Sequence, residues 1–292
     1  MLTGIKMAFL GGDARINEVI QQALDLDASV YLVGFDNLHL EMLDTLKTQI
    51  TTEVISDLDA IILPLTGMSD DWTIQSQYSE QPITLTDEHF SALPKKCKIF
   101  TGIAQKLLID VCRRHGLHLV KLMELDEVAI LNSIPSAEGA IKMAMENTDI
   151  TLHGSNTAVL GFGRCGVTIA RMCKGIGANV MVGVRKEADL ARIFEMGCTA
   201  FPLVQLPHAL QEADIVFNTI PAQVITSEVL SRMKRSCVII DIASRPGGTD
   251  FRFAEKRGIK ALLAPSLPGI VAPKTAGQIL AKSIFRLVLD HA

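Results

Sequence analysis

The sequence predicts an α/β protein of two open parallel-sheet domains: a flavodoxin-like or Rossmann-like N-terminal domain, then a Rossmann domain for a dinucleotide. Three observations lead there. Short apolar runs alternate with stretches of helical periodicity. The alternation starts afresh after the turn-rich His153-Gly154-Ser155. The second series opens on Gly161-Phe162-Gly163-Arg164-Cys165-Gly166, a glycine turn set between an expected strand and an expected helix.

A chain of 292 residues suits two domains, since compact domains run about 100 to 200 residues. With 48% hydrophobic and 21% charged residues it has the composition of a chain folded throughout rather than of a disordered one. In the first domain, strands are expected at Lys6 to Leu10, Ser29 to Phe35, Ala60 to Pro64, Lys98 to Gly102 and Leu117 to Leu122. Helices are expected at Ala14 to Leu26 and Ala104 to His115, the latter stopped by Gly116. Ser133-Ile134-Pro135-Ser136-Ala137-Glu138 reads as the opening of a joining helix that runs to about Asn147, with hydroxyl caps and a first-turn proline. Strands of the second domain are expected at Thr157 to Leu160, Val180 to Val184, Ile215 to Asn218 and Cys237 to Asp241. A last helix from Thr275 is expected to return to the first domain, giving one domain of residues 1–130 with 275–292 and another of 131–274.

Several function classes are disfavoured. A net charge of −4 offers no basic field for a nucleic-acid backbone, so no nucleic-acid partner is expected. The longest apolar runs fall far short of the roughly 20 residues that cross a bilayer, and the start passes straight into a strand with no room for a signal peptide. A cytoplasmic protein with no membrane partner is expected. The six cysteines and seven histidines are scattered without metal-ligand or disulfide spacing, so no metal is expected and the thiols should be reduced.

The glycine turn carries the functional signal. Gly161 permits the tight turn, Gly163 lets a pyrophosphate approach the backbone, and Gly166 lets the helix close against the strand. The helix start then offers free N–H groups to phosphate. A glycine turn that merely packs is the bland alternative. About 20 residues on, where an NAD site carries an acid, stand Arg185 and Lys186; with Arg164 they favour NADP through its 2′-phosphate, unless they are simply a solvated basic pair. Asn218, Thr219 and Pro221 close the next strand and are candidates for the nicotinamide side, as is the Asp241-Ile242-Ala243-Ser244-Arg245-Pro246-Gly247-Gly248 loop. Plain surface turns would look the same.

Candidates for substrate contact are weaker. Gly11-Gly12-Asp13-Ala14-Arg15 turns from strand to helix and could hold a carboxylate through Arg15, although a bland turn fits equally well. Thr66 ends a strand on the same edge. Ser133 and Ser136 are further candidates, with helix capping as the simpler account. Glu138, Arg245 and Lys274 are the candidate catalytic groups, expected to face an interdomain cleft; none has a sequence setting that singles it out. No histidine stands in Pro265-Ser266-Leu267-Pro268-Gly269, which weakens a reading as a 2-hydroxy-acid dehydrogenase.

Taken together, Gly11 to Arg15, the Gly161 turn, Asp241 to Gly248 and Leu267-Pro268-Gly269-Ile270-Val271-Ala272-Pro273-Lys274-Thr275-Ala276-Gly277 closely resemble the dipicolinate synthase A-subunit family of endospore-forming bacteria, along the whole chain. The resemblance implies an enzyme of the mother cell during sporulation that oxidises dihydrodipicolinate to dipicolinate with NADP as hydride acceptor, beside the flavoprotein-like B-subunit of dipicolinate synthase. A small dicarboxylate is then the substrate, and Arg15, Arg245 or Lys274 would meet its charges. Assembly into a homo-oligomer is also expected. Two other readings stay open: an NADP-binding scaffold or sensor whose partner does the chemistry, and a general dehydrogenase of the alanine or 2-hydroxy-acid type.

Overall fold

A computed structural model describes residues 1–38 and 47–290, so the last two residues of the expected C-terminal helix, 291–292, lie outside the described residues. The chain divides into two compact units, residues 1–131 with 272–292, and residues 132–271.

The first unit contains β1 (Lys6–Leu10), α1 (Ala14–Asp25), β2 (Ser29–Val33), α2 (Thr52–Ile55), β3 (Ala60–Ile62), the short strands β4 (Thr73–Ile74) and β5 (Ile83–Thr84), α3 (Asp87–Ala92), β6 (Lys98–Thr101), α4 (Lys106–His115) and β7 (His118–Lys121). Its main sheet has five strands in the order β2-β1-β3-β6-β7, all parallel. In local numbering that is 2-1-3-4-5, the flavodoxin order, with its switch point between β1 and β3. Alternation sorts the strand side chains: Met7 and Phe9 join the core with α1, while Ala8 and Leu10 join the core with α3 and α4. Gly116 ends α4 in the left-handed conformation, φ 61°.

Helix α5 (Asp126–Asn147) starts in the first unit and ends in the second. The expected start at Ser133 is corrected. Asp126 and Glu127 occupy the first turn, where carboxylates suit the positive helix end, and Pro135 lies inside the helix. An interior proline costs about 3 kcal/mol. Burial offsets that cost here: Pro135 is buried, and Ala137, Ala140 and Ala144 enter the core of the second unit. Neither serine is a cap.

The second unit continues with β8 (Asn156–Leu160), α6 (Arg164–Ile176), β9 (Asn179–Val184), α7 (Glu187–Glu195), β10 (Thr199–Pro202), α8 (Leu206–Ala209), β11 (Ile215–Asn218), α9 (Ser227–Arg232), β12 (Val238–Asp241), α10 (Phe251–Arg257), β13 (Lys260–Leu263) and α11 (Leu267–Val271). Six parallel strands run β10-β9-β8-β11-β12-β13. Locally this is 3-2-1-4-5-6, the order of a dinucleotide-binding Rossmann sheet, and its switch point lies between β8 and β11. The outermost strands β10 and β13 escape the sequence reading. They are half-covered edges, so they lack the continuous apolar run of the central strands.

The final helix, α12 (Pro273–Leu289), returns to the first unit and packs on α1. Gly277 makes that approach possible, because a Cβ there would stand 2.4 Å from the Arg15 carbonyl oxygen. Leu280, Ile284 and Val288 complete the core on that side.

Candidate functional site

Between β8 and α6 the three glycines have three different surroundings. Gly161 has φ +94°, and a Cβ on it would come 2.5 Å from Thr219 Oγ1. A Cβ on Gly166 would come 2.1 Å from the Gly161 carbonyl oxygen. Around Gly163 nothing lies within 4 Å of that position. The first and third glycines are therefore required by packing. The second leaves open space at the start of a 13-residue helix. The intrahelical ladder of α6 begins with the Val167 N–H donating to the Gly163 carbonyl at 3.0 Å. The N–H groups ahead of it have no acceptor within the helix, and Gly163 provides no capping side chain. This arrangement fits the pyrophosphate of a dinucleotide.

The neighbouring strand ends are tied into the same frame. Thr219 Oγ1 donates to the Leu160 carbonyl at 2.8 Å, and Gly161 N–H donates to the Gly183 carbonyl at 2.9 Å. Asn218, expected to meet the nicotinamide, is instead fully buried. Its amide nitrogen donates to Asp241 Oδ1 at 3.0 Å and to the Ile220 carbonyl at 3.1 Å. Asp241 is also fully buried and accepts three more bonds: Ala243 N–H at 3.1 Å, Gly248 N–H at 2.8 Å and Thr249 Oγ1 at 2.7 Å. One carboxylate thus holds the loops after both β11 and β12. Sequence reasoning missed this role, though an acid at a strand end followed by Gly-Gly-Thr was an available signal. Thr219 and Pro221 lie at the rim, half-buried and exposed respectively, and Arg245 is exposed near the tip of the second loop.

At the end of β9, Arg185 and Lys186 are both exposed, and Arg164 is exposed at the first position of α6. Cys165 beside it is half-buried; burial pushes its thiol up, against the opposing influence of the Arg164 charge and the nearby Ser136. Burial alone pushes Cys112 up to about 12, so that thiol is inert packing.

The substrate candidates of the first unit are more constrained than the sequence suggested. Arg15 is buried, and its guanidinium grips Asp13, with Nε donating to Asp13 Oδ1 at 2.9 Å and Nη2 to Oδ2. Burial works against ionisation of Asp13, yet the hydrogen bond and charge of Arg15 prevail and hold its carboxyl below the ordinary range. Asp13 also caps α1, accepting from the Arg15 N–H at 3.1 Å. A carboxylate ligand at Arg15 would therefore share it with Asp13, a competition that the two-residue spacing could have signalled. Thr66 is exposed after β3.

Ser133 is fully buried, its hydroxyl 2.6 Å from Thr168 Oγ1 on α6, so it is closed to any substrate. Ser136 is half-buried and donates to the Asn132 carbonyl at 2.8 Å. Glu138 is exposed and lines an open groove of about 580 Å³ with Ile141, Met145, Met172 and Ile176. Lys274 is exposed in the first turn of α12. Among the described residues, no group of three or more His, Cys, Asp and Glu is placed to hold a metal ion, and no helix is long and apolar enough to cross a membrane.

A Rossmann-order sheet whose glycine turn is closed at both ends and open in the middle, in a chain that also carries a second parallel α/β unit, defines a dehydrogenase-type protein with a nicotinamide-dinucleotide domain. Residues 134–247 match the NAD binding domain of D-isomer specific 2-hydroxyacid dehydrogenases, and residues 6–123 match the N-terminal domain of the dipicolinate synthase A-subunit. The chain is 47% identical to the dipicolinate synthase A-subunit of Bacillus subtilis (strain 168), over 99% of this chain and 98% of that protein. It belongs to the dipicolinate synthase A-subunit family. The crystal structure of the dipicolinate synthase A-subunit from Bacillus halodurans superposes with a TM-score of 0.94 at 46% identity, covering 99% of both chains. A transhydrogenase of Sinorhizobium meliloti, at 15% identity and TM-score 0.68 over 97% of this chain and 93% of that one, shares the fold alone.

Proposed function

We propose that this chain is the NADP-dependent A-subunit of a dipicolinate synthase, oxidising dihydrodipicolinate to dipicolinate in the mother-cell cytoplasm during sporulation, together with a B-subunit. The observation that carries the reading is the 47% identity to the Bacillus subtilis protein, which runs through both units. The reaction is a two-electron oxidation: one hydride and one proton leave the ring, and aromaticity is the gain. The nicotinamide of NADP, when bound, accepts the hydride.

The residues of this chain would bind and orient. The first-turn N–H groups of α6, with Gly163 leaving room, receive the pyrophosphate. Arg185 and Lys186 pair with the 2′-phosphate, and Arg164 adds charge beside the turn. Thr219 and Pro221 flank the nicotinamide side, held from beneath by Asn218 and Asp241. Arg15 and Thr66 receive a substrate carboxylate, and Arg245 and Lys274 are further partners for its charge. Glu138 or a water takes the ring proton.

With dihydrodipicolinate and the B-subunit supplied, the dipicolinate absorbance should rise only when NADP is added. No dependence on a nicotinamide cofactor would sink the proposal. For cofactor choice, Arg185→Asp should weaken NADP about tenfold or more while leaving NAD binding nearly unchanged. Equal NADP affinity in the variant would remove Arg185 from the site.

A second reading, a dinucleotide-binding protein whose partner performs the chemistry, has one observation in its favour. Asp241, the carboxylate at the end of β12, is consumed by four protein donors and has no capacity left as a base. Turnover by this chain without its B-subunit partner would eliminate that reading.

A further inference from the structure

We infer that the groove between α5 and α6 is the face through which this chain associates with a second copy of itself, whose own α5 covers it about a two-fold axis. The two helices touch at Ser133 and Thr168, whose hydroxyls are 2.6 Å apart. Further along, Ile141 and Met145 of α5 and Met172 and Ile176 of α6 line the open groove of about 580 Å³. Met145 is 51% exposed there. An apolar trough left open to water marks a face that another surface covers, and methionine is enriched at such faces because its flexible thioether chain fills an irregular gap.

The charges beside the groove match a second copy. Glu138, Lys142 and Glu146 follow at intervals of four along the exposed edge of α5, acid, base, acid. Lys142 Nζ and Glu146 Oε1 are 3.6 Å apart within one chain, and both side chains are more than half exposed. Two copies of α5 laid antiparallel about an axis level with Ala144, halfway between these two residues, set Lys142 of each copy against Glu146 of the other. A two-fold interface requires a patch that is its own complement when reversed, because the same residues serve both copies. An unrelated partner makes no such demand. Each Met145 then lies next to the axis, in the groove. Helix α5 ends at Asn147, which faces Ile141 in this register, so the second helix stops about a turn short of Glu138.

The pairing requires neither the cofactor nor the reaction proposed above. Light scattering and sedimentation equilibrium of the full chain should give twice the mass of one chain. Lys142→Glu alone sets acid against acid, and Glu146→Lys alone sets base against base, so each should weaken self-association about tenfold or more. Mixed in equal amounts, the two variants should pair with each other about as tightly as the unaltered chain, since every cross-contact is again acid against base. Met145→Glu, which carries a charge into the apolar groove, should weaken association about 100-fold. All three positions are exposed, and an unchanged urea midpoint at low protein concentration would show each variant folded. A single-chain mass for the unaltered chain at every concentration would overturn the inference. So would an oligomer that none of the variants loosens, or single variants that fail to recover when mixed. Loss of B-subunit binding with the oligomer unchanged would overturn it too, by giving the groove to that partner.

Discussion

Gly166→Ala is expected to abolish useful dinucleotide binding and to destabilise the second unit, although alanine is the better helix former. The propensity gain is about 1 kcal/mol. Against it, the new Cβ would stand 2.1 Å from the Gly161 carbonyl oxygen, a separation that no rotamer can relieve because both partners are backbone. Helix α6 would have to move outward by about 1 Å, and overpacking of this kind costs up to about 3 kcal/mol. Its N–H groups would no longer converge on the phosphate, and a misplacement of that size is expected to weaken binding roughly 100-fold. Urea denaturation and NADP titration of the variant would measure both effects. Gly163→Ala is the control that separates them. Nothing lies within 4 Å of its Cβ position, so stability should change by no more than about 1 kcal/mol, while the methyl group occupies the open space left for the ligand. If Gly163→Ala bound NADP like the unaltered chain, the glycine turn would not be the phosphate site.

Asp241→Ala should produce the largest loss of stability among single changes at the strand ends. It leaves the Asn218 amide, two backbone N–H groups and the Thr249 hydroxyl without an acceptor in a fully buried place. An unsatisfied buried donor costs about 1–3 kcal/mol. Some donors will find water once the loops relax, so a net loss on the order of 4 kcal/mol is expected. Asp241→Asn keeps the shape and one acceptor oxygen and should lose about half as much. Both variants release the loops after β11 and β12, so dinucleotide affinity should fall in the same order as stability. A cost below about 1 kcal/mol for Asp241→Ala would mean that the loops are held by other contacts. Denaturant unfolding of the two variants side by side makes the comparison.

The central strands were legible because each is a short apolar run, and several, such as β1 before Gly11 and β8 before Gly161, are closed by glycine; β1 and β11 have the bounds expected of them. Sheet order was not. Whether the five strands of the first unit run 2-1-3-4-5 or begin 3-2-1-4 as in the second unit depends on which side each crossover takes, and that is decided by helix packing between segments far apart in the chain. The start of α5 was misplaced for a related reason. Locally, Ser-Ile-Pro-Ser is a helix opening, and only the burial of Pro135 with Ala137 and Ala140 in the tertiary core makes it a helix middle.

The sequence by itself determined the α/β class with parallel sheets, the glycine turn and the basic pair that follows it. It also carried the family resemblance, which the 47% identity to the Bacillus subtilis protein bears out. These are properties of neighbouring residues, and chain order is enough to read them. The tertiary structure decided which candidates remain available to a ligand. Asn218 turned inward to Asp241, 23 residues away, and Ser133 to Thr168, 35 residues away, while Arg185 and Lys186 stayed in solvent. A polar side chain is spent or available according to what the fold packs around it. A buried group must be satisfied by the protein itself, and only groups left at the surface can wait for a ligand.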